Sequence, residues 1–102
     1  MKPLDLNFIC QTLNLPMSSE NKPVSRIVTD SRDIRVGDVF FALAGERFDA
    51  HDFVEDVLAA GAAAVVVSRE DCAALKGALK VDDTLAALQK LAKAWRENVN
   101  PF

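Results

Sequence analysis

Five consecutive apolar residues, Ala63-Ala64-Val65-Val66-Val67, constrain the fold of this chain more than any other stretch. A run without polar alternation is typical of a strand that is covered on both faces. It follows a predicted helix from about Asp52 to Ala60, and that helix follows a second apolar run within Asp38–Leu43. This strand–helix–strand order predicts parallel pairing with a right-handed crossover.

The rest of the chain supplies short elements of the same two kinds. Apolar spacing predicts three further helices and two further strands: helices over Leu4–Leu13, Arg69–Lys76 and Asp82–Asn98, and strands over Ser25–Thr29 and Ala78–Val81. We therefore expect an α/β domain of two or three layers. Its largely parallel sheet should have about four to five short strands flanked by helices.

Local patterns also predict helix starts and one buried stripe. Three starts are expected: a capping box of Asp52 and Glu55, a cap formed by Ser68 and Asp71, and a cap of the last helix by Asp82 or Asp83. Phe53, Val57 and Leu58 have the spacing of the face that the middle helix buries.

Composition bounds the class of protein. The 102 residues suit one small domain, and 50% apolar content is enough for one core. A net charge of −3 argues against a nucleic-acid module. Cys10 and Cys72 lack metal-ligand spacing and are expected to be buried free thiols. The run Ala62–Val67 is too short to insert in a membrane, and without a signal-peptide core a cytoplasmic location is expected.

The last residues of the sequence, Asn98-Val99-Asn100-Pro101-Phe102, have an unusual pattern. A helix stop is followed by what resembles the first residues of a new strand. We interpret this as a cut between domains.

Two polar loops follow two of the predicted strands, Thr29–Arg32 after the first and Ala44–His51 after the second. In open α/β sheets, ligands bind beyond the carboxyl ends of the strands. The working hypothesis is that both loops lie at the same edge and bind one ligand.

The first loop has two interpretations that the residues leave open. Asp30 and Ser31 are typical turn residues that bond nearby backbone amides. The Ser31 hydroxyl also suits a nucleobase edge or a ribose, because it both donates and accepts hydrogen bonds. Arg32 either meets a phosphate or carboxylate or is simply solvated.

The second loop is the more informative of the two. Gly45 permits close backbone approach, Glu46 can accept from a hydroxyl or amine, and Arg47 can meet an anion. Asp49 is expected to cap the following helix, whose N-terminus favours anions. His51 is the only histidine, and capping, ligand contact and solvation all remain open for it.

Motifs for catalysis are missing from the sequence. There is no phosphate-binding G-x-x-x-x-G-K-[ST] loop, no G-x-G-x-x-G, no metal cluster and no nucleophile paired with a base. Neither catalytic residues nor a metal site is expected. The residues alone indicate a small α/β module that binds a polar, anionic small molecule.

Four stretches together resemble the N-terminal domain of the cytoplasmic Mur ligases of bacteria: Thr29–Arg32, Gly37–Leu43, Gly45–Phe53 and Gly61–Ala64. The sequence of the third stretch, G-E-R-F-D-A-H-D-F, is most similar to that of the family members that add D-alanyl-D-alanine. The member that adds the third peptide residue has similar patterns and remains the alternative. A non-catalytic protein-interaction module is the alternative of a different class.

The resemblance implies a function and a set of residues. Residues 1–102 would be one N-terminal domain that holds the uridine diphosphate part of UDP-MurNAc-tripeptide for peptidoglycan precursor synthesis. The central domain that binds ATP and Mg, and the C-terminal domain, would lie outside this chain, leaving it without cofactor and inactive alone. By position, the residues that match the family's two uridine-nucleotide loops are Asp30, Ser31, Arg32, Gly45, Glu46, Arg47, Phe48, Asp49, Ala50 and His51. Besides that substrate and the enzyme's own other domains, no nucleic-acid partner is expected.

Overall fold

The computed structural model describes residues 4–15, 21–44 and 49–99, with the side chains of 97–99 left out. The predicted Gly45–Phe48 part of the second loop and the proposed domain cut at Asn100–Phe102 therefore lie outside the described residues. Within the described residues, four helices and four strands follow one another: α1 Leu6–Thr12, β1 Arg26–Val28, β2 Asp38–Phe41, α2 Val54–Ala59, β3 Ala64–Val67, α3 Glu70–Ala73, β4 Ala78–Lys80 and α4 Thr84–Val99. A 3₁₀ turn, Ala50–Phe53, leads directly into α2.

The strands form one four-stranded parallel sheet in the order β1-β2-β3-β4. Both central strands, β2 and β3, are fully buried, as an unbroken apolar run predicts for a strand covered on two faces. The predicted α/β class and parallel pairing are confirmed. The sheet has four strands, and helices cover both of its faces.

Each face of the sheet has its own apolar core. On one face, α1 and α4 pack on alternate residues of β2 and β3, including Val39, Phe41 and Val66. On the other face, α2 and α3 pack on Phe40, Val65 and Val67. The fold is therefore the three-layer version of the two that the sequence predicts, and the period of two along each strand assigns its side chains to the two cores.

The start of α2 differs from the sequence prediction. No side chain caps this helix, so the predicted Asp52–Glu55 capping box does not form. Asp49 instead caps the 3₁₀ turn by accepting a hydrogen bond from the His51 amide at 2.9 Å. Phe53 ends the 3₁₀ turn and precedes the first residue of α2, so it lies outside the regular helix; Val54 and Val57 are buried while Phe53 is 37% exposed. The prediction that Phe53 is buried was wrong.

The other predicted helix details have mixed outcomes. The Asp83 carboxylate accepts from the amides of Leu85 and Ala86, which confirms it as a cap of α4. Arg69, not Ser68, is the N-cap residue of α3 and makes no side-chain cap bond. Cys10 and Cys72 are free and buried, as predicted. None of the helices in the described residues is both long and apolar enough to span a membrane.

A buried carboxylate holds the amino ends of β1 and β2 together. Asp38 is fully buried and accepts from the Nε and Nη2 atoms of Arg26 at 3.1 and 2.6 Å, and from the Arg35 amide at 2.9 Å. The hydrogen bonds from Arg26 lower the pKa of Asp38 below its ordinary value of 3.8. Arg26 also donates to the Asp33 carbonyl at 3.1 Å, which fastens the β1–β2 connection to this end of the sheet.

Candidate functional site

The four strands end at one edge of the sheet, called here the carboxyl edge. Polar residues follow every strand there: Thr29–Arg32 after β1, Asp49 and His51 after β2, Ser68 and Arg69 after β3, and Asp82 and Asp83 after β4. The pairing of Val28 with Phe40 makes β1 and β2 neighbours at this edge. For the described residues, the hypothesis that the two loops share an edge is confirmed.

The first loop is folded on itself by one carboxylate. Asp30 accepts from the Arg32 amide at 2.9 Å, an Asx turn, and from the Arg32 guanidinium through two bonds of 3.1 Å. These bonds, the guanidinium bonds first, lower the pKa of Asp30. The Arg32 side chain is nevertheless 88% exposed. The turn interpretation is therefore correct for Asp30. The Arg32 guanidinium is ion-paired with Asp30 before any ligand binds.

Ser31 lies between these two paired residues and differs from them. Within the described residues its hydroxyl has no hydrogen-bond partner, and the residue is only partly exposed. Residues Thr29–Arg32 and Phe53 together line a cleft of about 500 Å³. The cleft therefore combines the Ser31 hydroxyl with the partly exposed side chain of Phe53, a pairing that suits a planar polar heterocycle.

The described part of the second loop is held by hydrogen bonds to its own residues. Asp49 Oδ1 accepts from the His51 amide at 2.9 Å and from His51 Nδ1 at 2.7 Å. The backbone hydrogen bond is the larger reason that the pKa of Asp49 is lowered. Ala50 is buried, and its amide donates to the Leu43 carbonyl at 3.0 Å. The predicted cap role of Asp49 is confirmed.

His51 is buried, with 3% of the residue exposed, and both ring nitrogens have protein partners. Nδ1 lies 2.7 Å from Asp49, and Nε2 accepts from the Ser68 amide at 2.9 Å. An accepting Nε2 requires the proton to be on Nδ1, which therefore donates to Asp49. Of the roles left open for His51, solvation is wrong, and the ring bridges the second loop to the end of β3.

Asp49, His51 and Ser68 lie in the order of a hydrolase triad, but the arrangement cannot activate the serine. The Ser68 hydroxyl is 3.4 Å from His51 Nε2, whose lone pair already accepts the shorter bond from the Ser68 amide. A general base needs that lone pair to take the hydroxyl proton. The cluster is thus a structural bridge.

Sequence reasoning missed Ser68, Arg69 and Phe53 as residues of this edge. Arg69 donates to Asp49 at 3.3 Å, to Asp52 at 3.1 Å and to Asp71, so one guanidinium joins three carboxylates. Those bonds raise the pKa of Arg69, with Asp71 as the largest cause. The signal was available for Ser68 and Arg69, because they directly follow β3 just as the predicted loops follow β1 and β2.

Carboxylates outnumber cations at the carboxyl edge. Among the described residues, acidic side chains occur at or just beyond each strand end: Asp30 after β1, Asp49 and Asp52 after β2, Glu70 and Asp71 after β3, and Asp82 and Asp83 after β4. The cations beside them are Arg32, Arg69 and, at the end of β4, Lys80, and each is ion-paired with one or more of these carboxylates. An anionic ligand must therefore meet backbone amides, a cation released from its carboxylate, or a cation outside the described residues.

The described residues also line other concave surfaces. A second cleft of about 380 Å³ lies at the carboxyl edge between the ends of β2–β4 and the start of α4, and its lining includes Ser68, Asp82 and Leu85. An apolar groove of about 460 Å³ lies away from that edge, on the α4 side of the sheet, and its lining includes Leu4, Ile27 and Trp95. In residues 4–15, 21–44 and 49–99, no group of three His, Cys, Asp or Glu side chains is arranged to hold a metal ion.

The sequence and the fold match one enzyme family. Residues 23–96 match the family described as "Mur ligase family, catalytic domain". The chain belongs to the Mur ligase family.

Curated relatives and solved structures agree with that assignment. The UDP-N-acetylmuramoyl-tripeptide–D-alanyl-D-alanine ligase of Haemophilus influenzae is 42% identical over 85 residues, which is 83% of this chain and 19% of that protein. The UDP-N-acetylmuramoyl-L-alanyl-D-glutamate–2,6-diaminopimelate ligase of Aquifex aeolicus is 38% identical over 89 residues, 87% of this chain and 16% of that protein.

Among solved structures, MurF from Acinetobacter baumannii superimposes with a TM-score of 0.75 and 34% identity over 96% of this chain and 22% of that one. MurF from Thermotoga maritima in complex with ADP has a TM-score of 0.67 and 36% identity, covering 74% of this chain and 17% of that one. The chain therefore spans about a fifth of the length of the ligases that it matches.

Proposed function

We propose that this chain recognises the uridine diphosphate part of UDP-MurNAc-tripeptide in a ligase that adds D-alanyl-D-alanine during peptidoglycan precursor synthesis. In this proposal residues 1–102 are the N-terminal domain of a longer cytoplasmic enzyme. ATP and Mg are used by a central domain beyond this chain, and the chain alone has no ligase activity. The domain contributes binding energy that anchors the nucleotide, so that the distant carboxylate is positioned for reaction elsewhere.

The observation that carries the proposal is the cleft between Thr29–Arg32 and Phe53. It combines the partly exposed Phe53 side chain with a Ser31 hydroxyl that has no hydrogen-bond partner among the described residues, which suits the face and the polar edge of a uracil ring. The D-alanyl-D-alanine-adding relatives are named for a UDP-N-acetylmuramoyl-tripeptide, whose UDP part contains that base. We assign Ser31 to the base or ribose on these grounds.

The diphosphate needs different partners. Arg32 is exposed and paired only with Asp30, so a phosphate can exchange with that carboxylate at little cost. From the sequence alone, Gly45, Glu46, Arg47 and Phe48 stay in the proposed site, with Arg47 as the second cation. Asp49, Ala50 and His51 take part by shaping the loop, because their side chains are already bonded or buried within the protein.

Two alternatives remain attached to this proposal. The diaminopimelate-adding ligase of Aquifex aeolicus is almost as similar as the D-alanyl-D-alanine-adding relatives, so the same nucleotide role in that sibling enzyme is the nearer alternative. The apolar groove beside Trp95 favours the more distant one, a domain that docks a protein.

The test is the affinity of UDP for the chain and for Ser31→Ala, measured by isothermal titration calorimetry. Because Ser31→Ala removes one neutral hydrogen bond, it should lower the affinity for UDP by roughly fivefold. Ser25→Ala is the matched control, because Ser25 is exposed at the opposite end of β1. Equal affinity for UDP and ADP in the unsubstituted chain, or equal losses in the two variants, would remove the base-recognition proposal.

A further inference from the structure

We propose that Arg69 is a positioning residue that holds the described end of the second loop, Asp49–His51, and the turn after it in the arrangement that binds the nucleotide. This inference rests on the proposed function, and it concerns a residue that does not itself touch the ligand. It begins from the unusual number of loop contacts that one side chain makes.

Arg69 donates four of its five N–H groups to carboxylates. Nη1 bonds Asp49 at 3.3 Å and Asp52 at 3.1 Å, whereas Nε and Nη2 bond the two oxygens of Asp71. Asp49 and Asp52 belong to the segment that enters α2, and Asp71 belongs to α3. The guanidinium therefore connects the end of β3 to the second loop and leaves little capacity for a phosphate.

The contacts of Arg69 close a ring of interactions around the loop. Asp49 offers Oδ2 to Arg69 and Oδ1 to His51, and His51 accepts from the amide of Ser68, the residue before Arg69. Each member thus fixes the next, and Phe53 of the cleft lies two residues beyond His51. A displacement of Asp49 would therefore be transmitted through the 3₁₀ turn Ala50–Phe53 to the Phe53 side chain, which lines the cleft.

Removing the cation would also change the forces within the ring. Asp49, Asp52 and Asp71 all approach the same guanidinium, so without it three carboxylates repel one another across the gap between the loop and α3. Because Asp49 would lose one partner and gain two repelling neighbours, we expect it to move and to release His51.

A surface ion pair of no functional consequence is the competing explanation. The Arg69 side chain is 39% exposed, and exposed pairs contribute little to stability. The two explanations differ in where the effect appears. A plain surface pair changes overall stability slightly, whereas a positioning residue changes local exchange at His51 and Ser68 and the binding of every ligand that uses the cleft.

The test compares Arg69→Gln, Arg69→Lys and Lys76→Gln in the 102-residue chain. Lys76 is exposed in the α3–β4 connection, so its substitution removes the same charge elsewhere. Hydrogen exchange is read at the amides of His51 and Ser68, and affinity is measured for uridine and for UDP. Uridine lacks phosphate, which separates a positioning effect from a lost phosphate contact.

For Arg69→Gln we expect exchange at both amides to rise about tenfold, and both affinities to fall by a common factor of about ten. Arg69→Lys should show smaller changes in exchange and affinity than Arg69→Gln, because lysine keeps the positive charge but lacks the forked N–H donors of the guanidinium. Lys76→Gln should match the unsubstituted chain.

Unchanged exchange at both amides in Arg69→Gln would overturn the inference. A variant Arg69→Gln that loses affinity for UDP but keeps its affinity for uridine would also overturn the inference, because Arg69 would then contact the phosphates. Failure of the unsubstituted chain to bind either ligand would instead overturn the proposed function, and the exchange result alone would then decide whether Arg69 fixes the loop.

Discussion

The Nε2 atom of His51 accepts a hydrogen bond of 2.9 Å from the backbone amide of Ser68, seventeen residues further along the chain. This bond joins the loop after β2 to the end of β3, two neighbouring strands of the sheet. On its other side the ring donates to Asp49 at 2.7 Å. A buried imidazole thus sets the shape of the loop that enters α2.

The first prediction concerns the tautomer of that ring. Because Nε2 accepts from an amide, His51 should be neutral with its proton on Nδ1. Long-range nitrogen-15 NMR spectra of the chain at pH 7 should show a protonated Nδ1 and an unprotonated Nε2. Asp49→Asn is a useful comparison, since it weakens the acceptor that selects this tautomer. A spectrum with the proton on Nε2 would contradict the bridge.

The second prediction concerns the buried carboxylate at the opposite end of the sheet. Asp38→Asn places an amide N–H₂ among three donors, from Arg26 and from the Arg35 backbone, in a site with no exposure. We expect a loss of about 2 kcal/mol in the free energy of unfolding, or roughly 10 °C in Tm. Urea unfolding measures it, and Asp82→Asn, at an exposed position, is the control. Similar stability for the two variants would show that the Arg26–Asp38 pair is dispensable.

The third prediction is the sign of the acid response. The pKa values of Asp38 and Asp49 are lowered in the folded state, chiefly by the side chain of Arg26 and the amide of His51. A lowered folded pKa means stability that is complete above about pH 4 and is lost as the pH falls through the folded value. The contribution of these two groups to the urea midpoint of the chain should therefore be constant from pH 7 to about pH 5, and the midpoint should fall steeply below pH 4.

Asp38→Asn supplies the control for that response. The variant has already lost the Asp38 contribution at neutral pH, so its midpoint should fall less on acidification than that of the unsubstituted chain. Parallel curves would mean that Asp38 does not contribute to acid unfolding.

The fourth prediction concerns the aromatic wall of the cleft. Phe53 is 37% exposed and lines the cleft with Thr29–Arg32. If uracil stacks on it, Phe53→Ala should weaken UDP about tenfold, since base stacking is worth roughly 1–3 kcal/mol. Leu85→Ala is the matched control because Leu85 is 52% exposed at the second cleft of the same edge. Calorimetric titration would count against the assignment if Leu85→Ala gave the larger loss.

The sequence predicts the elements of this fold well because its strongest signals are local. The unbroken apolar run before Ser68 and the strand-like run before Leu43 are buried parallel strands, as expected. Gly61 ends α2 with a φ of +111°, as its place after the apolar stripe predicts. Such features depend on neighbours within one turn or one strand.

The wrong predictions concern residues whose side chains contact residues far away in the sequence. Ser68 has the spacing of a helix cap, but Arg69 occupies the N-cap position and the Ser68 hydroxyl lies 3.4 Å from His51 Nε2. Asp52 has the spacing of a capping box, but it bonds Arg69. Asp38 lies at the start of the predicted second strand, but local patterns give no sign that its carboxylate is buried against Arg26. Tertiary contacts override the local preference in each case, and single-sequence patterns do not contain those contacts.

The most direct measurement is titration of nitrogen-15-labelled chain with UDP, followed by NMR. The account predicts saturable shifts at Thr29–Arg32 and Asp49–Phe53, and much smaller ones with ADP at the same concentration. Shifts confined to Asp82–Leu85 or to the groove beside Trp95, or no shifts at millimolar UDP, would contradict it.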